Sequence, residues 1–179
     1  SGVGLMAMKI ARQRGAALVV GSSTDAGRRA RLTEFGAHLA IDSRDPGWVA
    51  QVLEATGGRG VDLIVDQVSG GVANQNMQAT RVLGRIVNVG RLGGMKGEFD
   101  FDLHALRRIS YIGVTFRTRS VEEVREINRL MQAELGPAIA AGQLNLPIDR
   151  VFKLDEALAA LAHMQENKHF GKVILSVSA

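Results

Sequence analysis

The chain of 179 residues is 46% hydrophobic and 22% charged, a composition that supports a buried core and excludes a disordered tract. Lys and Arg number 22 against 18 Asp and Glu; these cations are scattered and aromatics are only 4%, which argues against a nucleic-acid platform. With no cysteine, disulfides and thiolate metal sites are excluded, and the four histidines (His38, His104, His163, His169) show no ligand spacing.

Leu5, Met6, Met8 and Ile10, with Lys9, Arg12 and Arg14 toward the end, predict a helix over 5–14 that Gly15 stops. The apolar run Ala17–Val20 predicts a buried parallel strand. A helix is expected over Ala26–Phe35, ending at Gly36, and a strand over Leu39–Ile41. Asp45-Pro46 suits a helix start, and that helix runs to about Thr56 before Gly57-Gly58. Val61–Val65 reads as a strand, Ala73–Val82 as a helix, Arg85–Val89 as a strand broken by Gly90, and Ile109–Phe116 as a further strand. Ser120 and Glu123 form a capping box for a helix reaching toward Ala141. After Pro147 come a strand near Ile148–Phe152, a helix over Asp155–Gln165 and a last strand at Lys172–Val177. Strand alternating with helix in this way predicts an α/β fold with a doubly wound parallel sheet covered on both faces.

Ser1-Gly2-Val3-Gly4 precedes the first helix, where glycines let a backbone approach a pyrophosphate beside the helix N-terminus. Alone, such a glycine pair is equally a turn. The second strand ends at Val20-Gly21-Ser22-Ser23 without the acid that an NAD site usually carries there, and Arg28 and Arg29 follow. Hydroxyls with a guanidinium suit a 2′-phosphate, which Arg binds bidentately; the plain reading of Arg28 and Arg29 is a solvated helix face.

Four segments in order, Ser1–Gly4, Glu34-Phe35-Gly36-Ala37-His38, Thr56–Asp62 and His169-Phe170-Gly171-Lys172-Val173, resemble the cofactor domain of the medium-chain dehydrogenase/reductases. The similarity is greatest to the zinc-independent NADPH:quinone oxidoreductases and related enoyl reductases, and it covers essentially the whole chain. It implies a Rossmann-type dinucleotide-binding domain over 1–142. The segment 143–179 then returns toward a GroES-like catalytic domain, which supplies the substrate wall, any zinc ligands and the proton path. By this resemblance Gly2, Val3 and Gly4 match the pyrophosphate loop, and Ser22 and Ser23 the strand end beside the adenosine ribose. Arg28 matches a cation that meets the 2′-phosphate. Val68 and Ser69 match the loop along the cofactor's middle, and Gly90, Arg91 and Leu92 the loop near the nicotinamide ribose. Phe116 and Arg117 match a loop close to the nicotinamide, and Lys172 a position close to the phosphates. Arg91 departs from the small residue usual at its position. Phe116 is equally a core residue, Asp66 a turn cap, His38 a turn decoration and His169 a surface residue.

The expected function is therefore NADPH-dependent hydride transfer to a quinone, an enone or a similar carbonyl or alkene. No catalytic residue and no metal ligand are assigned to this chain. The alternative is a non-enzymatic nucleotide-binding module or a subunit that supplies only the cofactor pocket. A short-chain dehydrogenase is disfavoured because Tyr111, the one tyrosine, is followed four residues on by Thr115 instead of Lys. A methyltransferase is disfavoured by the missing acid at the second strand end. No apolar run reaches a membrane span and no signal peptide is legible, so the expected protein is soluble, cytoplasmic and free of membrane and nucleic-acid partners. Family members commonly join last strands, so a homodimer through Ile109–Phe116 is expected. In the strand order 3-2-1-4-5-6 the central strand feeds the glycine loop. That strand is not in the sequence, so the expectation is a piece of a longer polypeptide whose central slot something else must fill.

Overall fold

The apolar runs become strands and the amphipathic stretches helices, starting with α1 (Gly2–Gln13), β1 (Val20–Ser22), α2 (Ala26–Ala30) and β2 (Leu39–Ile41). There follow α3 (Trp48–Ala55), β3 (Val61–Asp66), α4 (Ala73–Ala79), β4 (Thr80–Asn88), α5 (Phe101–Arg107) and β5 (Ser110–Gly113). The chain ends with α6 (Val121–Ala140), β6 (Ile148–Lys153), α7 (Ala157–Gln165) and β7 (Lys172–Ser176). This computed structural model describes residues 2–177, so Ser1 of the glycine segment lies outside the described residues. β3, β4 and β5 form a parallel sheet in that order, β6 and β7 pair in parallel, and β1 pairs with β2. The chain thus adopts the α/β class with parallel sheets that its alternation of patterns implies.

Two compact units are present: one takes the described residues of Ser1–Gly21, Asp25–Ala40 and Gln132–Ala179, the other Ser22–Thr24 and Ile41–Met131. They divide the chain differently from the sequence-based 1–142 and 143–179. In the first, Leu5 and Met8 lie one helical turn apart on α1 and pack with Val19, Leu32 and Ala37. Phe35, Leu146 and Phe170 border this cluster. The ladder of β1 begins at Val20, later than the Ala17 start read from the apolar run. The cause is His38: the Val19 N–H donates to its Nδ1 at 2.8 Å, while the Val19 carbonyl accepts from the His38 and Leu39 N–H groups. His38 is therefore a backbone anchor, a larger part than decorating a turn. The helix expected over 26–35 breaks after Ala30 and continues as a tighter 3-10 turn, Leu32–Phe35, which buries Leu32 and closes at Gly36.

In the second unit Met77, Ile86 and Ile109 form a buried centre, bordered by Ile64, Phe99, Leu103 and Tyr111. α3 starts at Trp48, because the Asp45 carboxylate accepts from Gly47 N at 2.8 Å in a turn that delays the helix. α4 stops at Ala79, three residues before the Val82 of the sequence reading, because Thr80 already pairs with Val61. Register shifts between Val61 and Leu63, and Leu83 takes φ 61 as the chain loops outward. α5 has no counterpart in the sequence reading; Asp100 caps it by accepting from Leu103 N at 2.8 Å, and Leu103 then covers the core. The capping box opening α6 is formed reciprocally, Ser120 N to Glu123 Oε2 at 2.8 Å and Glu123 N to Ser120 Oγ at 3.2 Å.

With the central strand of the 3-2-1-4-5-6 order expected to be missing from the sequence, the described strands form separate ladders. There β1 has β2 as its one neighbour and β3 has β4, and the β3 residues Leu63 and Val65 are 52% and 39% exposed. No helix among the described residues is long and apolar enough to cross a membrane.

Ile86 is 0% exposed at the centre of the second core, whereas Leu106 on α5 is 73% exposed. Ile86→Ala is expected to destabilise by about 2–5 kcal/mol and Leu106→Ala by less than about 0.5 kcal/mol. Urea unfolding of both variants checks this; similar midpoints for the two would contradict the assigned core.

Candidate functional site

In the second unit the site begins where β3 ends. Asp66 is buried, and its Oδ1 accepts from the N–H groups of Val68 at 2.8 Å and Ser69 at 3.0 Å. One carboxylate oxygen thereby bends the chain into the loop that carries both residues. Ser69 takes φ 58 and ψ −147, is buried, and donates its hydroxyl to the Gly90 carbonyl at 2.7 Å while accepting from the Asn88 amide. The backbone adds Val89 N to Asp66 O at 2.8 Å, Leu92 N to Gln67 O at 3.0 Å and Gly93 N to Val68 O at 2.8 Å. A Cβ at Gly90 would stand 2.8 Å from the Gln67 carbonyl oxygen, so only glycine lets the two loops close this far.

Val68, Ser69, Gly90, Arg91 and Leu92 are thus gathered at the carboxyl ends of β3 and β4, where ligands of open parallel sheets bind. Asp66 organises the turn, as one of the two sequence readings held. Tyr111 on β5 stands beside it; burial first, then the Asp66 charge and hydrogen bond, hold the Tyr111 hydroxyl above its ordinary pKa. The loop after β5 starts from the same edge, since Val114 N donates to the Asn88 carbonyl at 3.1 Å. Phe116 in that loop is 62% exposed, which removes the core reading, and Arg117 beside it is exposed. Ser23 N donates to Ile41 O at 3.1 Å, and Arg44, paired with Asp42 at 3.3 Å, also donates to the Thr24 carbonyl, so Ser22–Thr24 is a fixed strand end.

In the first unit Gly2 is buried at the start of α1, and a Cβ there would stand 2.8 Å from Lys172 Cε and 3.2 Å from its Nζ. Two residues remote in sequence, the loop glycine and the first residue of β7, therefore share one place. Val3 is exposed and Gly4 half-buried in the same first turn. Arg28 enters α2, whose cap Asp25 accepts from Arg28 N at 2.7 Å and faces Arg28 Nε at 3.7 Å. The Arg28 Nη1 donates to Asn167 Oδ1 at 3.2 Å. Asn167 was not legible as a site residue, because the contact spans 139 positions. Asp25 was not read either, although its place directly before Ala26 is a cap signal. His169 is half-buried beside His163, with ring centroids 6.4 Å apart, and is not the surface residue expected.

In the first unit a glycine start of a helix crossed by an ammonium suits a phosphate, and in the second unit backbone-packed loops stand at the strand ends where open parallel sheets bind ligands. No group of three His, Cys, Asp or Glu side chains gathers as a metal ligand set among the described residues.

The family profile described as zinc-binding dehydrogenase matches residues 2–133. Phthioceranic/hydroxyphthioceranic acid synthase of Mycobacterium tuberculosis is 30% identical over 177 residues, covering 98% of this chain and 8% of that protein. The crystal structure of an NAD-dependent alcohol dehydrogenase is 28% identical, with a TM-score of 0.80 over 99% of this chain and 49% of that one. A mycobacterial quinone oxidoreductase, 24% identical, shares the fold with a TM-score of 0.78 over 98% of this chain and 53% of its own. The chain spans about half the length of these solved structures and a small part of the synthase. Its profile match and its fold agree: the chain belongs to the zinc-binding dehydrogenase family, as the cofactor-binding half of a medium-chain dehydrogenase/reductase.

Proposed function

We propose that this chain binds NADPH for hydride transfer to a quinone, an enone or a similar carbonyl or alkene. The observation that carries the reading is the pair of cations in the first unit, Lys172 against Gly2 and Arg28 at the start of α2. Lys172 takes the pyrophosphate charge at the helix start, where glycine leaves room for it. Arg28 takes the 2′-phosphate that distinguishes NADPH, since β1 ends in Ser22 without an acid to hold ribose hydroxyls. The nearest acid, Asp25, has its Oδ1 engaged in capping α2 and facing Arg28. Bound NADPH supplies the hydride; this chain binds it and fixes its orientation. In the second unit Val68, Ser69 and Gly90–Leu92 form the cofactor wall. The exposed Leu92 and Phe116, at 80% and 62%, offer apolar surface suited to a weakly polar acceptor. The acceptor class is taken from the sequence resemblance to quinone oxidoreductases and enoyl reductases.

Titration of the intact protein at low and high salt is expected to give tighter binding of NADPH than of NADH. Arg28→Ala weakens NADPH by about 1.5–3 kcal/mol and leaves NADH nearly unchanged. Lys172→Met weakens both equally, because the pyrophosphate is common to them. Equal affinities in the unmodified protein, or tighter NADH, would overturn the NADPH assignment.

We also infer pairing with a second copy through β5. This strand has β4 as its one neighbour among the described residues, and Ile112 on it is 41% exposed. Two such edges related by a twofold axis join into one sheet. Sedimentation is expected to show a dimer at micromolar concentration, which Ile112→Lys weakens; a monomeric unmodified protein would count against the pairing.

A further inference from the structure

We infer that Asn167 is a specificity-determining positioning residue, which fixes the Arg28 guanidinium for the 2′-phosphate of the cofactor. The inference rests on the NADPH reading of Arg28. Asn167 follows α7 with φ 53, a left-handed conformation that Asn tolerates better than most residues. Its N–H donates to the Met164 carbonyl at 3.0 Å, which fixes the turn, and its Oδ1 accepts from Arg28 Nη1 at 3.2 Å. On its other side the guanidinium has Asp25 Oδ1 at 3.7 Å from Nε. An arginine has five N–H donors in a planar fork. The Asn167 bond at Nη1 and the Asp25 charge beside Nε hold that fork from two sides, so its orientation depends on both neighbours.

The loop that presents Asn167 is itself anchored to the segment that carries Arg28. Phe170 N donates to Asp149 Oδ1 at 2.8 Å. The Phe170 ring meets Phe35 edge-on at 5.4 Å and lies under the Arg31 guanidinium at 4.1 Å. Arg31 and Phe35 sit one and two turns beyond Arg28, so the distance from Asn167 to Arg28 is set by packing on both sides. The amide also suits the task by being neutral. A carboxylate at 167 would grip Arg28 more strongly, but it would cancel the charge that the phosphate needs and repel the phosphate itself. An amide holds the guanidinium and leaves its charge available.

The test titrates the intact protein with adenosine 2′,5′-bisphosphate and with 5′-AMP, which differ by the 2′-phosphate alone. Asn167→Gly keeps the left-handed turn that glycine adopts freely and removes only the amide. It is expected to weaken the bisphosphate about fivefold and leave 5′-AMP unchanged, the scale of one lost hydrogen bond. Asn167→Asp weakens the bisphosphate further by adding charge. Arg28→Ala removes most of the preference for the bisphosphate, and Asn167→Gly added to it causes no further loss, because Asn167 acts through Arg28. If Asn167→Gly leaves the preference intact while Arg28→Ala abolishes it, the role of Asn167 is overturned and the NADPH reading stands. If Arg28→Ala leaves the preference intact, the reading and the inference fall together. If Asn167→Gly weakens both ligands alike, its part is structural and the inference is wrong.

Discussion

A carboxylate shut away from water needs donors, and at the end of β3 the Oδ1 of Asp66 finds two in the backbone that follows it. That requirement dictates the path of Gln67, Val68 and Ser69, and through them the loop after β4. Once Val68 and Ser69 are turned back onto Asp66, the Gln67 and Val68 carbonyls and the Ser69 hydroxyl meet the chain at 88–93, which supplies the matching N–H and C=O groups. The close approach is possible only because Gly90 has no side chain. Ser69 stays in a left-handed conformation rare outside glycine, with bonds to Gly90 and Asn88 on one side and to Asp66 on the other. Loops held by backbone bonded to backbone need no ordering when a ligand arrives, which is the physical advantage of the arrangement.

The first unit reaches a similar end by a long-range route. The groups proposed to meet the cofactor phosphates come from opposite ends of the chain, Gly2 from α1 and Lys172 from β7, with Arg28 between them in sequence. What joins them is the short stretch before β7. Asp149 on β6 accepts from the Phe170 N–H and from His163, at 2.8 Å and 2.7 Å. The Phe170 N–H first, and His163 second, hold its carboxyl below the ordinary carboxylate range. Lys172 N then donates to the Pro147 carbonyl at 2.9 Å, so the strand that carries the ammonium is registered before its side chain reaches Gly2.

What the sequence made legible was whatever depends on neighbours in the chain. β2 occupies Leu39–Ile41 as read, and the Ser120–Glu123 box opens α6 as its spacing implies, because both signals are local. Gly2-Val3-Gly4, read as a loop before a helix over 5–14, instead form the first turn of α1, whereas the break after β4 was visible at Gly90. Errors arose where a tertiary partner intervened. The start of β1 moved because a histidine ring took the Val19 N–H, and α4 ended early because Thr80 was already paired with Val61. α5 was hidden behind Phe99, Phe101 and the glycines before them; its signal was the Asp100 cap three residues before Leu103, weak alone but correct in kind. Asn167 had no local signal at all, since its partner lies 139 residues away.

The acid that follows β1 shows why a residue's type near a strand end does not by itself decide which cofactor is preferred. Asp25 lies three residues beyond Ser22, close enough in sequence to pass for an acid that holds ribose hydroxyls. Its Oδ1, however, accepts from Arg28 N at 2.7 Å, so the first turn of α2 dictates where the carboxylate points. That capping bond is worth about 1 kcal/mol, whereas a half-exposed ion pair contributes about 0–1 kcal/mol, so the cap decides the orientation and the pairing with Arg28 follows from it. Turning Asp25 outward to a ribose would cost the cap and leave Arg28 without its carboxylate. The same few residues thus spend their acid on the helix and keep a cation at its start. In a domain whose β1 ends in serine, that division of labour is the physical argument on which the NADPH proposal rests.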